Sequence, residues 1–104
     1  MARTRELTES PFVQGADEKI AYWVDVSTWS DTPITPTAAL YDITAGTRVD
    51  VTSTSMTGSP TIAGTIFTGP YVYALTAGNV YRAEYKFYDG SSIMEAYAII
   101  NAED

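Results

Sequence analysis

The chain has 104 residues, no cysteine, no histidine and a net charge of −7 from 13 acidic and 6 basic side chains. That length holds one domain around one core. The missing residue types remove disulfides, thiol nucleophiles, zinc–thiolate sites, the commonest metal ligand and the usual general base, and the acidic balance argues against binding a phosphate backbone.

Residues 1 to about 10 are polar and read as a flexible segment, with a single domain expected over 11–104. The opening Met1-Ala-Arg-Thr-Arg-Glu carries positive charge with no apolar run behind it, so no secretory signal is expected. No stretch approaches the roughly 20 apolar residues that span a bilayer, so no membrane partner is expected either. Ser10 to Val13 reads as a short edge strand, with Pro11 suited to that place, and Gln14 to Asp17 as a turn. Lys19 to Ser27 alternates with period two: Ile20, Tyr22, Val24 and Val26 share one face, and Ala21, Trp23 and Asp25 the other. Trp23 is then either part of a second contact surface or half-covered by a neighbouring loop.

Trp29 to Pro36 is a loop with two prolines. Thr37 to Thr44 is a strand with Ala39, Tyr41 and Ile43 on the expected core side. Arg48 to Thr52 returns as another strand, and Ser53 to Pro60 is a polar loop without helical period. Thr61 to Thr68 reads as one strand with Gly64 at a bulge, and Gly69-Pro70 as a break before Tyr71 to Leu75. No stretch shows helical spacing for more than one turn. About seven short strands at intervals of roughly 8–12 residues predict an all-β antiparallel sandwich.

The most informative stretch is Leu75 to Ile93. Leu75 and Tyr81 stand six positions apart with Gly78 between them, the spacing of a tyrosine corner in an immunoglobulin-like sandwich. Beyond the corner, Tyr81, Ala83, Tyr85 and Phe87 alternate with Arg82, Glu84 and Lys86, and Asp89-Gly90 signals a turn. Met94, Ala96, Ala98 and Ile100 then face inward on the return strand. A two-residue loop at Asp89-Gly90 would set Glu84 opposite Glu95. A four-residue loop from Asp89 to Ser92 sets Lys86 there, which opposite charge favours.

Tyr22-Trp-Val-Asp25-Val-Ser-Thr-Trp29 resembles the opening of small immunoglobulin-like proteins encoded by tailed phages and prophages. Thr76-Ala-Gly78-Asn-Val-Tyr81 with the Asp89-Gly90 hairpin is similar to their closing part, and also resembles fibronectin type III domains. Val26 stands where that phage pattern commonly has an aromatic, and its acidic lead-in is reduced to Asp17-Glu18. The resemblance implies a structural component of a virion, located in the particle or the host cytoplasm, with other virion proteins or itself as partner and no catalytic residue.

Candidate chemistry is sparse. A Ser or Thr nucleophile would have only Lys19, Lys86 or a carboxylate as base. Glu84 and Glu95 are a conceivable acid pair but belong to exposed strand faces, and Asp17, Glu18 and Asp31 match no calcium loop. Single glycines beside turn residues form no phosphate loop. No enzymatic activity, cofactor or metal is expected. The candidate contact surface consists of Trp23, Trp29, Tyr73, Tyr88 and Tyr97, with an aromatic stripe on the final hairpin if Tyr88 and Tyr97 face outward. A surface of that kind serves protein contact; the alternative is a carbohydrate-binding module that stacks the same rings on sugar.

Overall fold

Alternating apolar and polar residues dictate strands through most of the chain, and the computed structural model, which describes residues 4–6 and 11–104, consists almost entirely of them. In order these are β1 (Thr4–Glu6), β2 (Phe12–Gly15), β3 (Ile20–Asp25), β4 (Ile34–Asp42), β5 (Val49–Asp50), a single helical turn α1 (Thr52–Ser55), β6 (Met56–Thr57), β7 (Thr61–Ala63), β8 (Ile66–Val72), β9 (Val80–Asp89) and β10 (Ser92–Glu103). No helix among the described residues is long and apolar enough to cross a membrane. Of the N-terminal segment expected to be loose, residues 4–6 pair with β10, and the remainder lies outside the described residues.

Two sheets stack around one core, as expected of an all-β sandwich. The first runs β1-β10-β9-β4-β5, with β2 also on β10; the second runs β3-β8-β6, with β7 also on β8. Both β1 and β2 lie parallel to β10, at different points along it. Tyr81, Ala83, Tyr85 and Phe87 of β9 are all buried, as are Ala96, Ala98 and Ile100 of β10, and they meet Tyr22, Phe67 and Val72 of the second sheet.

Size complementarity fixes this core. Tyr85 stands between Ala38 of β4 and Ala96 of β10 in its own sheet, and its ring reaches Gly69 of the other. A Cβ added at Gly69 would come within 2.5 Å of Tyr85 Cε1. Three small residues thus make the hole that one large ring fills, with Phe67 edge-on at 5.5 Å. The Tyr85 hydroxyl is buried and has no hydrogen-bond partner among the described residues.

Polar staples complete the joint. Gln14 is fully buried: its Oε1 accepts from the Tyr22 hydroxyl at 2.7 Å, and its Nε2 donates to the carbonyls of Val72 at 2.7 Å and Glu18 at 3.1 Å. These bonds tie β2 of the first sheet to β3 and β8 of the second. At the bend before β9, the buried Tyr81 accepts the Thr76 N–H at 2.9 Å, and Gly78 takes a φ of +90° that an L side chain would resist.

The final hairpin has the expected register. Lys86 lies opposite Glu95, and their charged groups are 3.3 Å apart. Pairing extends one step further than expected, to Asp89 opposite Ser92, so the loop closes over Gly90-Ser91 alone.

Elsewhere the structure corrects the reading. Parity along β4 is inverted: Leu40 is fully buried and Ala38 rests on the core, whereas Ala39 and Tyr41 lie on the outer face opposite Glu84 and Arg82. Register with β9 compels this, because Leu40 pairs with inward-facing Ala83. Arg48 to Thr52 is only a two-residue strand leading into α1, where the Thr52 hydroxyl accepts the Leu40 N–H at 2.9 Å. Inside the expected polar loop, Met56 is buried in β6. Thr61 to Thr68 is a hairpin, with Gly64 at a φ of +62° in the turn between Ala63 and its partner Ile66. Gly69-Pro70 does not break the chain. Both residues lie within β8, and together they oppose Tyr22 alone, between the pairs Ala21–Tyr71 and Trp23–Thr68. That is a β-bulge, one of the few sheet positions where a proline is tolerated. Gln14, expected in a turn, is part of β2 and of the core.

Gly69→Ala is therefore expected to lower stability by about 1–3 kcal/mol through overpacking. Tyr85→Phe, which removes an unpartnered hydroxyl while keeping the ring, is expected to be neutral or stabilising by up to about 1–2 kcal/mol. Urea unfolding midpoints measure both; a Tyr85→Phe loss as large as the Gly69→Ala loss would contradict the packing described.

Candidate functional site

Alternation along β4, β9 and β10 places solvent-facing side chains in rows across the first sheet. Register puts Tyr41, Arg82 and Ile99 in one row, Ala39, Glu84 and Tyr97 in the next, then Thr37, Lys86 and Glu95, and finally Ile34, Tyr88 and Ile93. The first two rows are held together by charge. Arg48 and Arg82 each donate to Glu84 Oε2 at 2.9 Å. The Arg48 guanidinium lies 4.0 Å from the Tyr41 ring centroid, and that of Arg82 lies 3.8 Å from Tyr97. The third row carries the Lys86–Glu95 pair. The last row has no charged member: Ile34 is 52% exposed, Tyr88 37% and Ile93 42%.

The outer face of the second sheet has a different character. Trp23 is 63% exposed, opposite Thr68, so the monomer does not cover it. Tyr71 stands exposed between Ala21 and Thr57, and the Lys19 ammonium is 5.1 Å from its ring and 5.9 Å from that of Tyr73. A groove of about 530 Å³ follows β3, lined by Phe12 and residues 20–25. The Phe12 ring contacts that of Tyr22 at 4.5 Å.

The five candidate contact residues do not form one surface. Trp23 belongs to the second sheet, and Tyr73 follows β8 of that sheet. Tyr88 and Tyr97 face outward from the first, as the hairpin parity implies, but the Lys86–Glu95 row separates them. Trp29 is half-buried and stacks at 10° on Phe87, so its ring is part of the core margin. Sequence reading missed Ile34, Ile93 and Tyr71. Ile93 had a signal, since an inward Met94 requires an outward Ile93. Ile34 was hidden by the prolines around it.

No group of three or more His, Cys, Asp or Glu side chains is placed to hold a metal ion among the described residues. Glu84 and Glu95 are both engaged by cations, and Glu18 Oε1 accepts the Gly15 N–H at 2.7 Å. Asp25, Asp42 and Asp50 fall below the usual carboxylate range for local reasons. Asp25 accepts chiefly from the Ser27 N–H, Asp42 from the Thr44 hydroxyl and Asp50 from the Thr52 N–H. These are turn-forming bonds. Burial, reinforced by the Glu18 carboxylate, pushes the Tyr22 phenol up to about 12, and burial pushes the Tyr85 phenol up as well. The sequence matches no protein-family model and no curated protein.

Tyr22 gives the expected alkaline behaviour. A phenol raised from 10.0 to about 12 in the folded state favours folding below pH 10, and that contribution is lost as pH rises from about 10 to about 12. Urea midpoints measured across that range should fall, and Tyr22→Phe should lessen the fall. An identical decline in the variant would mean that Tyr22 ionises as freely in the folded chain as in the unfolded one.

Proposed function

We propose that the chain is a non-enzymatic immunoglobulin-like sandwich that works by protein–protein contact, as a structural component of a phage or prophage particle. The observation that carries the contact reading is the row Ile34–Tyr88–Ile93. Three apolar side chains from three strands stand side by side and exposed, on a sheet face whose other rows are occupied by ion pairs and guanidinium–tyrosine contacts. An exposed cluster of this composition is what the centre of a protein interface needs.

Strand order supports the immunoglobulin-like assignment. The order β10-β9-β4 against β3-β8-β7 corresponds to strands G, F and C against B, E and D of that sandwich. The Tyr81 hydroxyl bonds to a backbone N–H five residues upstream, as in a tyrosine corner. The phage assignment rests on the resemblance of the Tyr22–Trp29 and Thr76–Tyr81 motifs. Sugar stacking by the same aromatics is less well supported, because they are divided between the two sheets.

Particles purified from the source strain provide the test. The chain is expected to co-sediment with capsid or tail proteins, and Tyr88→Lys with Ile93→Lys to fold normally yet lower incorporation about tenfold or more. Undiminished incorporation would remove the row from the contact, and absence from particles would remove the phage assignment. Titration with a panel of oligosaccharides, followed by tryptophan fluorescence, is expected to give no response; a saturable one would favour the sugar-binding alternative.

A further inference from the structure

We infer that β3 is a self-recognition edge: two copies of the chain pair antiparallel along it, about a two-fold axis at Tyr22. The inference rests on the reading that the chain works by protein contact, and adds a second surface and the identity of its partner.

Among the described residues β3 pairs on one side only, with β8. The Val26 N–H donates to Thr65 of the turn before β8 at 2.9 Å. By alternation, the backbone groups of even-numbered residues in β3 point towards β8, and those of Ala21, Trp23 and Asp25 towards the open side. The open edge of this six-residue strand, with the backbone groups of those three residues unpaired among the described residues, therefore borders the groove beside Phe12. The other edges are blunted. The β10 edge is taken by β1 and β2, and that of β8 by β6 and β7. The β4 edge carries β5, the Thr52 bond to Leu40, and Pro36 within a register shift. The span of β3 has no proline, and the bulge beside it lies in β8.

The edge is complementary to itself. In an antiparallel pair of identical strands, directly opposed residues share a face, so only registers that match odd with odd keep Ile20, Tyr22 and Val24 on the core side. An axis at Tyr22 sets Lys19 opposite Asp25 of the second copy, twice by symmetry. It also sets Ala21 opposite Trp23, so each exposed indole has a small neighbour to cover, and Ile20 opposite Val24. Shifting the axis to Ala21 brings Asp17 against Asp25, and shifting it to Trp23 sets the two indoles directly opposite and leaves Lys19 facing Ser27. Charge and size thus select one register, and select a second copy of this chain as occupant. The edge is short, so the dimer is of the weak, transient class, and the charge of −7 on each copy calls for physiological salt to screen long-range repulsion.

Sedimentation velocity across a wide range of concentrations tests this with the full chain. The unsubstituted protein is expected to pass from monomer to dimer. Lys19→Asp and Asp25→Lys are each expected to weaken self-association about tenfold or more. An equimolar mixture of these two variants is expected to associate again, because every pair across the axis then joins opposite charges; this rescue also shows that both variants fold. Hydrogen exchange at the amides of Ala21 and Trp23 is expected to slow with concentration. A protein that stays monomeric throughout, single variants that dimerise undiminished, or a mixture that fails to associate would each overturn the inference. Protection at those amides that is independent of concentration and vanishes on deletion of residues 1–10 would identify the chain's own N-terminal segment as occupant and overturn it too. Tyr88→Lys is expected to leave the dimer intact. If it abolishes dimerisation instead, the Ile34–Tyr88–Ile93 row is the self-contact, and the edge inference falls while the contact reading stands.

Discussion

The contact between the Tyr85 ring and the Cα of Gly69 sets the geometry of the whole sandwich. The two sheets can approach only as closely as this ring allows, and the ring fits only because Ala38, Ala96 and Gly69 leave it space. Glycine at 69 also suits the bulge that it forms with Pro70, because the extra residue must be absorbed where the strand cannot keep regular pairing. The bulge in turn sets how Tyr22 meets β8, and the Tyr22 hydroxyl reaches Gln14. Packing, strand irregularity and the buried polar staple are thus linked through a few neighbouring residues, and a change at one is felt at the others.

Legibility from sequence followed how many independent constraints acted on each stretch. The β9–β10 hairpin was readable because period-two alternation, a turn signal and a charge pair agreed on one answer. β4 was misread because Ala39, Tyr41 and Ile43 outweigh Ala38 and Leu40 in apolar bulk. The deciding facts are the register with β9, and a guanidinium that makes the outer face a good place for Tyr41. Gly64 and Gly69-Pro70 exchanged roles: the expected bulge is a turn, and the expected break is a bulge. Either glycine satisfies either local conformation, and only the facing Tyr85 ring distinguishes them. Gln14 could not have been found at all, since a polar side chain beside a glycine has every mark of a turn until its three partners are in place.

Charge is distributed with the same economy. Asp25, Asp42 and Asp50, the last residues of β3, β4 and β5, hold the backbone just beyond each strand. Arg48, Arg82 and Lys86 are engaged on the outer face of the first sheet, where they meet Glu84 and Glu95. Exposed pairs of this kind stabilise the fold little. Their larger consequence is to occupy the face, so that the apolar row at its end differs from its surroundings. Lys19 lies beside Tyr71 and Tyr73 on the second sheet, at the other end of β3 from Asp25.

That arrangement ties the open edge to the way the sheets are joined. A strand entering ahead of β3 has two sites available: it can pair with β3 and close the second sheet, or cross to β10 and extend the first. In the second position its residue 14 can bridge the layers, and Gln14 there bonds to Tyr22, Glu18 and Val72 at once. A buried amide with both ends satisfied specifies one arrangement, whereas any alternative leaves its donors or the Tyr22 hydroxyl unpaired in the core. With β2 committed to β10, β3 has no strand paired on the side away from β8 among the described residues. The exposed ladder of β3 and the buried staple of Gln14 are therefore consequences of one choice of pairing, and an edge that follows from how the core is joined would be retained as long as the core is.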